Sequence, residues 1–158
     1  LPICVHASTG NFAWAQQFEG ENGFMRFKTP VLSAADAIMH DGVPKKFPNL
    51  KFAFVVVRAQ WIPYMAIEIA RRLDRADNSV ARNLIRDSHV YATCQTDDDL
   101  PQVLKYSGED NIVIGSDYGH NDTSSEIEAL RRIREKGEVE PRIIDKILYD
   151  NAKALYGL

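Results

Sequence analysis

The sequence predicts an α/β fold built on a parallel sheet, and two observations carry that expectation. Strand-type runs recur at Pro2–His6, Lys51–Val57, Val90–Cys94 and Asn111–Ser116, with helical patterns between and after them. A strand followed by a helix, four times over, implies parallel strands joined by right-handed crossovers. The runs are also continuously apolar and rich in β-branched residues, as strands buried on both faces are. Two closures compete. An open doubly wound sheet of four strands can stand alone, whereas a (β/α) barrel needs eight strands and about 250 residues. No glycine-rich phosphate loop follows any strand, which removes support from the nucleotide-binding versions of the open sheet.

The elements follow in order. The chain starts at Leu1, without Met, inside an apolar strand that has no polar lead-in, which fits a core strand at a terminus and, equally, a processed, proteolysed or truncated product that lacks an upstream segment. After His6 come small residues and a loop of about 20 residues, long enough to be functional, in which Phe12 and Trp14 are expected to cover the site as part of a lid. The first helix follows Thr29-Pro30, a cap residue and a proline at the first helical position, and carries Val31, Leu32, Ala34, Ala35, Ile38 and Met39 until Gly42 stops it. The second begins near Ile62-Pro63 with Tyr64, Ile67, Ala70 and Leu73 on one stripe, and Val80 to Ile85 adds a short helical turn. Asp99 to Tyr106 forms a third helix, with Leu100, Val103 and Leu104 inward, ended by Ser107-Gly108. Thr123 and Glu126 have capping-box spacing for a fourth, in which Ile127, Leu130 and Ile133 follow at helical intervals and Gly137 is the stop. Pro141 opens a closing helix carrying Ile143, Ile144, Ile147 and Leu148 towards Tyr156.

Composition narrows the function classes. The 158 residues are one domain's worth, and 45% hydrophobic with 26% charged is ordinary for a globular chain. A net charge of −3 with scattered cations gives no basic face for phosphates, so nucleic acid is not an expected partner. Lys45-Lys46, Arg71-Arg72 and Arg131-Arg132 read as solvated positions. Cys4 and Cys94 both lie inside strands and are expected to be buried free thiols. No apolar run approaches a membrane span of roughly 18 residues, and no signal sequence is visible, so the expected location is the cytoplasm.

The chemistry is expected where strands end. The last strand, Ile112-Val113-Ile114-Gly115-Ser116, delivers Asp117, and the first delivers His6. In α/β folds the ligand sits beyond the carboxyl ends of the strands. If both strands share one sheet, His6 and Asp117 emerge at one rim, and imidazole plus carboxylate suits zinc or another divalent transition metal. The competing readings are a hydrogen-bonded rim histidine and an aspartate that only caps the next helix. His40 and His89, at a helix end and a strand start, are read as structural.

Two motifs add a resemblance. Ile114-Gly115-Ser116-Asp117-Tyr118-Gly119-His120 followed by a helix, and the ending Asn151-Ala152-Lys153-Ala154-Leu155-Tyr156-Gly157-Leu158, resemble the C-terminal part of the amidohydrolase-related ("amidohydrolase 2") family of metal-dependent hydrolases and decarboxylases. The likeness extends back through Phe47-Pro48-Asn49-Leu50-Lys51-Phe52 and Trp61-Ile62-Pro63-Tyr64 to the opening strand. It implies that residues 1–158 form one partial domain, the C-terminal half (strands five to eight) of a TIM (β/α)8 barrel. It also implies a divalent metal, zinc being expected, held by His6 and Asp117, with Asp117 taking a proton from the attacking water. The family's His-x-His pair of strand one is absent here. Where strand six commonly ends in His or Glu this chain has Arg58, which could hold a substrate carboxylate bidentately or be a rim arginine paired with a local carboxylate. Trp61 could wall a ring substrate or pack beneath the loop. Gly119 replaces a usual proline and loosens the loop that carries His120, a residue that contacts substrate or anchors that loop. The partners expected are a small-molecule substrate, no membrane, and either a second copy of the chain or a missing N-terminal half.

Overall fold

A computed structural model describes residues 1–7, 13, 20, 23–73, 78–121 and 125–158, with the backbone alone at 78–80. The expected strands form a four-stranded sheet: β1 (Ile3–His6), β2 (Phe52–Val55), β3 (Val90–Cys94) and β4 (Ile112–Ile114). Every neighbouring pair is parallel and the spatial order is β1-β2-β3-β4. That order separates the two closures. A doubly wound sheet reverses direction at a switch point and takes helices on both faces, whereas sequential order advances around one side as a barrel does.

The two faces of the sheet differ accordingly. Phe52, Phe54, Val90, Ala92, Cys94 and Ile112 point into the main core. There they meet Val31, Ala35 and Met39 of α1 (Thr29–His40), Ile62 and Ile69 of α3 (Trp61–Arg72), and Ile85 of α4 (Asn78–Asp87). Val103 of α5 (Leu100–Ser107), Ile133 of α6 (Ala129–Glu135) and Ile144 of α7 (Pro141–Asp145) complete the layer. Each Val, Ile, Met or Phe among them contributes about 1.5–3 kcal/mol through apolar burial. The opposite face carries a small cluster, Ala53, Tyr91 and Val113, which meets Leu155 and Ala152 of the closing helix α8 (Asn151–Tyr156).

Register places Cys4, Ala53 and Tyr91 in one row of that second face and His6 beside Val55 in the next. Cys4 is therefore exposed, contrary to the expected buried thiol, because it lies on an edge strand and on the face the main helices leave uncovered. Cys94 is buried as expected, and both thiols are free.

Helix boundaries differ in instructive ways. Thr29 does not cap α1. A π-helical turn at Phe24–Lys28 runs straight into the helix, and the Thr29 hydroxyl donates back to the Phe24 carbonyl at 3.3 Å. A short helix, α2 (Val43–Lys46), follows Gly42, whose φ of 66° is the left-handed conformation glycine adopts without cost. In α3 the buried face is Trp61, Ile62, Ala66, Ile69 and Ala70, and Tyr64 is 68% exposed, so the expected stripe is rotated. Asp99 caps α5, its carboxylate accepting from the Gln102 amide at 3.0 Å. Thr123 lies outside the described residues, as do Phe12 and Trp14. Glu126 instead accepts from the Thr96 hydroxyl and from Arg132, α6 starts at Ala129, and Ala129 and Ile133 face inward while Ile127 is 71% exposed. The closing helix passes through a π-helical turn at Lys146–Asp150. Buried Asn151 fixes it to the sheet by donating to the carbonyls of Glu109 and Ile112 at 2.8 and 2.7 Å. Among the described residues no helix is long and apolar enough to cross a membrane.

Candidate active site

A cleft of about 200 Å³ opens at the carboxyl ends of the strands. Its lining comes from the ends of the strands and the residues just past them: His6 on β1, Val55 on β2 with Val56 and Arg58 after it, Thr93 and Cys94 on β3 with Gln95 after it, and Gly115 and Asp117 after β4. Adjacent strands lie about 4.8 Å apart, so β1 and β4 are about 14 Å apart along the sheet. Curvature of the sheet lets residues from both outer strands border one space.

Three lining residues adopt left-handed backbone conformations without being glycine: Val56 (φ 66°), Arg58 (φ 62°) and Asp117 (φ 50°). For L-residues this conformation costs roughly 1–2 kcal/mol each, and for β-branched Val56 it is rare. Strain of this kind persists where surrounding structure enforces it, and it concentrates at functional sites. It also explains why β2 ends at Val55 instead of running to Val57. Lys28 supports the bend by donating to the Val56 carbonyl at 2.6 Å, and the Val56 amide donates to Thr93 Oγ1 at 3.2 Å.

His6 Nδ1 lies 2.7 Å from the Ala7 carbonyl. A carbonyl only accepts, so in the neutral imidazole Nδ1 carries the proton and Nε2 is the atom with the free lone pair, the tautomer a metal-ligating histidine needs. Asp117 is 13% exposed at its side chain, and its Oδ2 accepts from His120 Nδ1 at 2.8 Å. The turn that makes this pair is closed by a bond from the His120 amide to the Asp117 carbonyl at 3.3 Å. Gly119, with φ of 97°, is the residue that lets the chain reverse. The glycine expected to loosen the loop thus brings His120 back onto Asp117. His120 does not line the cleft; it anchors the carboxylate that does.

Arg58 forms an ion pair with Asp97, the local pairing foreseen as one of its two readings. The hydrogen bond from Arg58 holds the Asp97 carboxyl below its usual range, and the same bond raises the guanidinium. Arg58 still lines the cleft. Trp61 does not. It is buried, donates from Nε1 to the Arg58 carbonyl at 3.0 Å, and meets the Phe54 ring edge-on at 5.7 Å, so it packs beneath the loop. Burial pushes the Cys94 thiol up to about 12, so it stays protonated and serves as apolar lining. Asp98 escaped the sequence reading. It is fully buried behind the cleft, and its only signal was the run of three acids, Asp97 to Asp99, directly past the third strand.

Among the described residues no three His, Cys, Asp or Glu side chains are grouped to hold a metal. His6 and Asp117 carry donor types suited to a divalent cation and border one cleft.

Fold and cleft together define a half of a (β/α)8-type barrel with its site at the strand ends. Solved structures share this fold. An amidohydrolase from Mycobacterium avium subsp. paratuberculosis K-10 matches at a TM-score of 0.70 and 21% identity over 98% of this chain and 42% of its own. A dihydroxybenzoic acid decarboxylase from Polaromonas sp. JS666, crystallised with manganese and the inhibitor 2-nitroresorcinol, matches at 0.73 and 19% over 100% and 50%. The 5-carboxyvanillate decarboxylase of Sphingomonas paucimobilis matches at 0.70 and 12%, again over 100% and 50%. The chain therefore spans about half the length of the solved chains it matches, and the structural neighbours are amidohydrolase-family proteins. No protein-family model and no curated protein matches the sequence.

Proposed function

We propose that this chain is the strand-five-to-eight half of a metal-dependent hydrolase or non-oxidative decarboxylase acting on a small carbonyl or carboxylate compound. The observation that carries the reading is the single cleft at which His6, Arg58 and Asp117 meet. The hydrolase and decarboxylase neighbours support it at the level of fold. His6 Nε2 and the Asp117 carboxylate would hold the metal. Imidazole suits zinc, and the manganese of the Polaromonas enzyme makes that ion the second candidate. Bound there, a divalent cation supplies Lewis acidity towards a carbonyl or carboxylate oxygen. Arg58 orients a substrate carboxylate with its planar fork of donors. Asp117 accepts the proton of an attacking water in hydrolysis, or returns a proton to carbon in decarboxylation. His120, 51% exposed and bonded to Asp117, holds that carboxylate in orientation and links it to solvent.

The test is calorimetric titration of zinc and, separately, manganese into the wild type, His6→Ala and Asp117→Asn. Each variant is expected to weaken binding by at least about tenfold. Unchanged affinity in both variants, or no binding by the wild type, would sink the reading.

A second reading rests on the two sheet edges and on exposed apolar residues: Leu1 just before β1 and Ile3 on it, and, after β4, Ile127 before α6 and Leu130 within it. An unpaired strand edge with apolar flanks is suited to association. On this reading the chain is a non-catalytic half-barrel that associates with itself or with another subunit. Sedimentation equilibrium checks the self-association, and a stable monomer would contradict it.

A further inference from the structure

Two loops form the wall of the cleft around Arg58, residues 56–60 after β2 and residues 95–99 after β3, and Asp98 joins them. One oxygen of its carboxylate, Oδ2, accepts from both the Ala59 amide at 3.1 Å and the Gln95 amide at 2.8 Å. Two further bonds tie the same loops: the Asp99 amide donates to Gln60 Oε1 at 2.6 Å, and Arg58 pairs with Asp97. Asp98 is fully buried, and its other oxygen, Oδ1, has no hydrogen-bond partner among the described residues. Burying half of a carboxylate without a partner opposes folding. The residue it supports also carries a cost, since Ala59 directly follows Arg58 in the left-handed region. A group that is costly in itself and sustains a strained neighbour is poorly explained by stability alone.

We infer that Asp98 is a positioning residue: by gathering the Ala59 and Gln95 amides on one oxygen, it locks the left-handed backbone at Arg58 and so aims the guanidinium into the cleft. This rests on the reading of Arg58 as the side chain that meets a substrate carboxylate. Asp97 has a different duty, because it holds the guanidinium itself and its removal leaves the backbone clamp in place. Since both amides use the same oxygen, an amide side chain can replace the carboxylate. Asp98→Asn retains that acceptor, while Asp98→Ala removes it.

The experiment uses the 158-residue chain, with benzoate as the carboxylate probe, followed through the Arg58 Nε–H resonance. Amide exchange at Ala59 and Gln95 and the φ-dependent coupling at Arg58 are read in parallel. Asp98→Ala is expected to expose both amides, to lose the positive-φ coupling, and to weaken benzoate by at least about tenfold, the loss also expected of Arg58→Ala. Asp98→Asn is expected to stay within about twofold of wild type on every readout, a rescue that a role resting on charge would not give, while amide exchange confined to Ala59 and Gln95 in Asp98→Ala separates the clamp from general packing. Wild-type exchange, coupling and affinity in Asp98→Ala would overturn the inference. Loss of amide protection in Asp98→Asn would overturn it too, and that arm decides the matter if the alanine variant does not fold. Should the wild type or Arg58→Ala show that Arg58 does not bind benzoate, only the reading of Arg58 fails, and exchange with coupling still decides whether Asp98 holds the backbone.

Discussion

Gly119 closes the turn that puts His120 on Asp117, and its φ of 97° lies where a side chain is strained whatever space surrounds it. Among the described residues, its chain neighbours aside, no heavy atom lies within 4 Å of a Cβ built there, so substitution there acts through the backbone. Gly119→Ala is expected to cost about 1 kcal/mol while keeping the turn. Gly119→Pro, with φ locked near −65°, is expected to abolish the His120–Asp117 bond, which loss of the hydrogen-bonded His120 Nδ1 proton signal in NMR would report. The same reasoning has the opposite sign at His89, an exposed residue with φ of 52° in the turn before β3. There the side chain is read as structural, so His89→Gly should raise stability by about 1 kcal/mol in urea unfolding, and a loss would show that the imidazole has a role. At this scale the sequence exposed residue type but not dihedral angle. Arg58 and Asp117 stand out as charged residues at strand ends, but nothing in their identity announces left-handed backbone. The strain at Val56 runs against its β-branched preference.

The closing helix shows how an element is fastened. Glu109, just before β4, accepts from Arg142 at 2.9 and 2.8 Å and from Lys146 at 2.8 Å, and Lys146 reaches Asp110 at 2.6 Å. Arg142 first, then Lys146, hold the Glu109 carboxyl down to about 2 from its ordinary 4.5. A folded-state pKa below the unfolded one means that the unfolded chain binds the proton more tightly. The contribution is therefore full above pH 4.5 and is lost as pH falls towards about 2. Glu109→Gln should flatten the acid limb of the urea midpoint over that window, and an unchanged slope would show that water screens the cluster completely. Asp98 acts oppositely. Burial raises its pKa above the ordinary 3.8, so its contribution weakens as pH rises through that raised value. Helix faces were the least legible part of the elements. In α3 and α6 the apolar spacing admits two overlapping stripes, and the one that faces inward is chosen by the neighbouring layer: Ile62, Ala66 and Ile69 over Tyr64, and Ala129 over Ile127.

For the molecule as a whole, the asymmetry of the sheet governs what a substitution does. Phe54 is fully buried on the helix-covered face, edge-on to Trp61. Phe54→Ala is expected to cost about 3–5 kcal/mol in urea unfolding, a large share of the roughly 5–15 kcal/mol that holds a domain. Cys4→Ser, exposed on the edge strand, should change stability by no more than about 0.5 kcal/mol, and a core-sized loss there would show that this edge is covered in solution.

By itself the sequence determined the alternation of strands and helices, the parallel sheet, and the delivery of His6 and Asp117 to strand ends, because apolar runs and their polar stops are local and survive in one dimension. Only the tertiary structure decided the sequential strand order, the meeting of His6, Arg58 and Asp117 at one cleft, the exposure of Cys4 and the withdrawal of Trp61. Those outcomes depend on which face a strand turns to its neighbour. Asp98 depends wholly on them: an aspartate within an acidic run gains its place only when two loops 39 residues apart in sequence offer their amides to one oxygen.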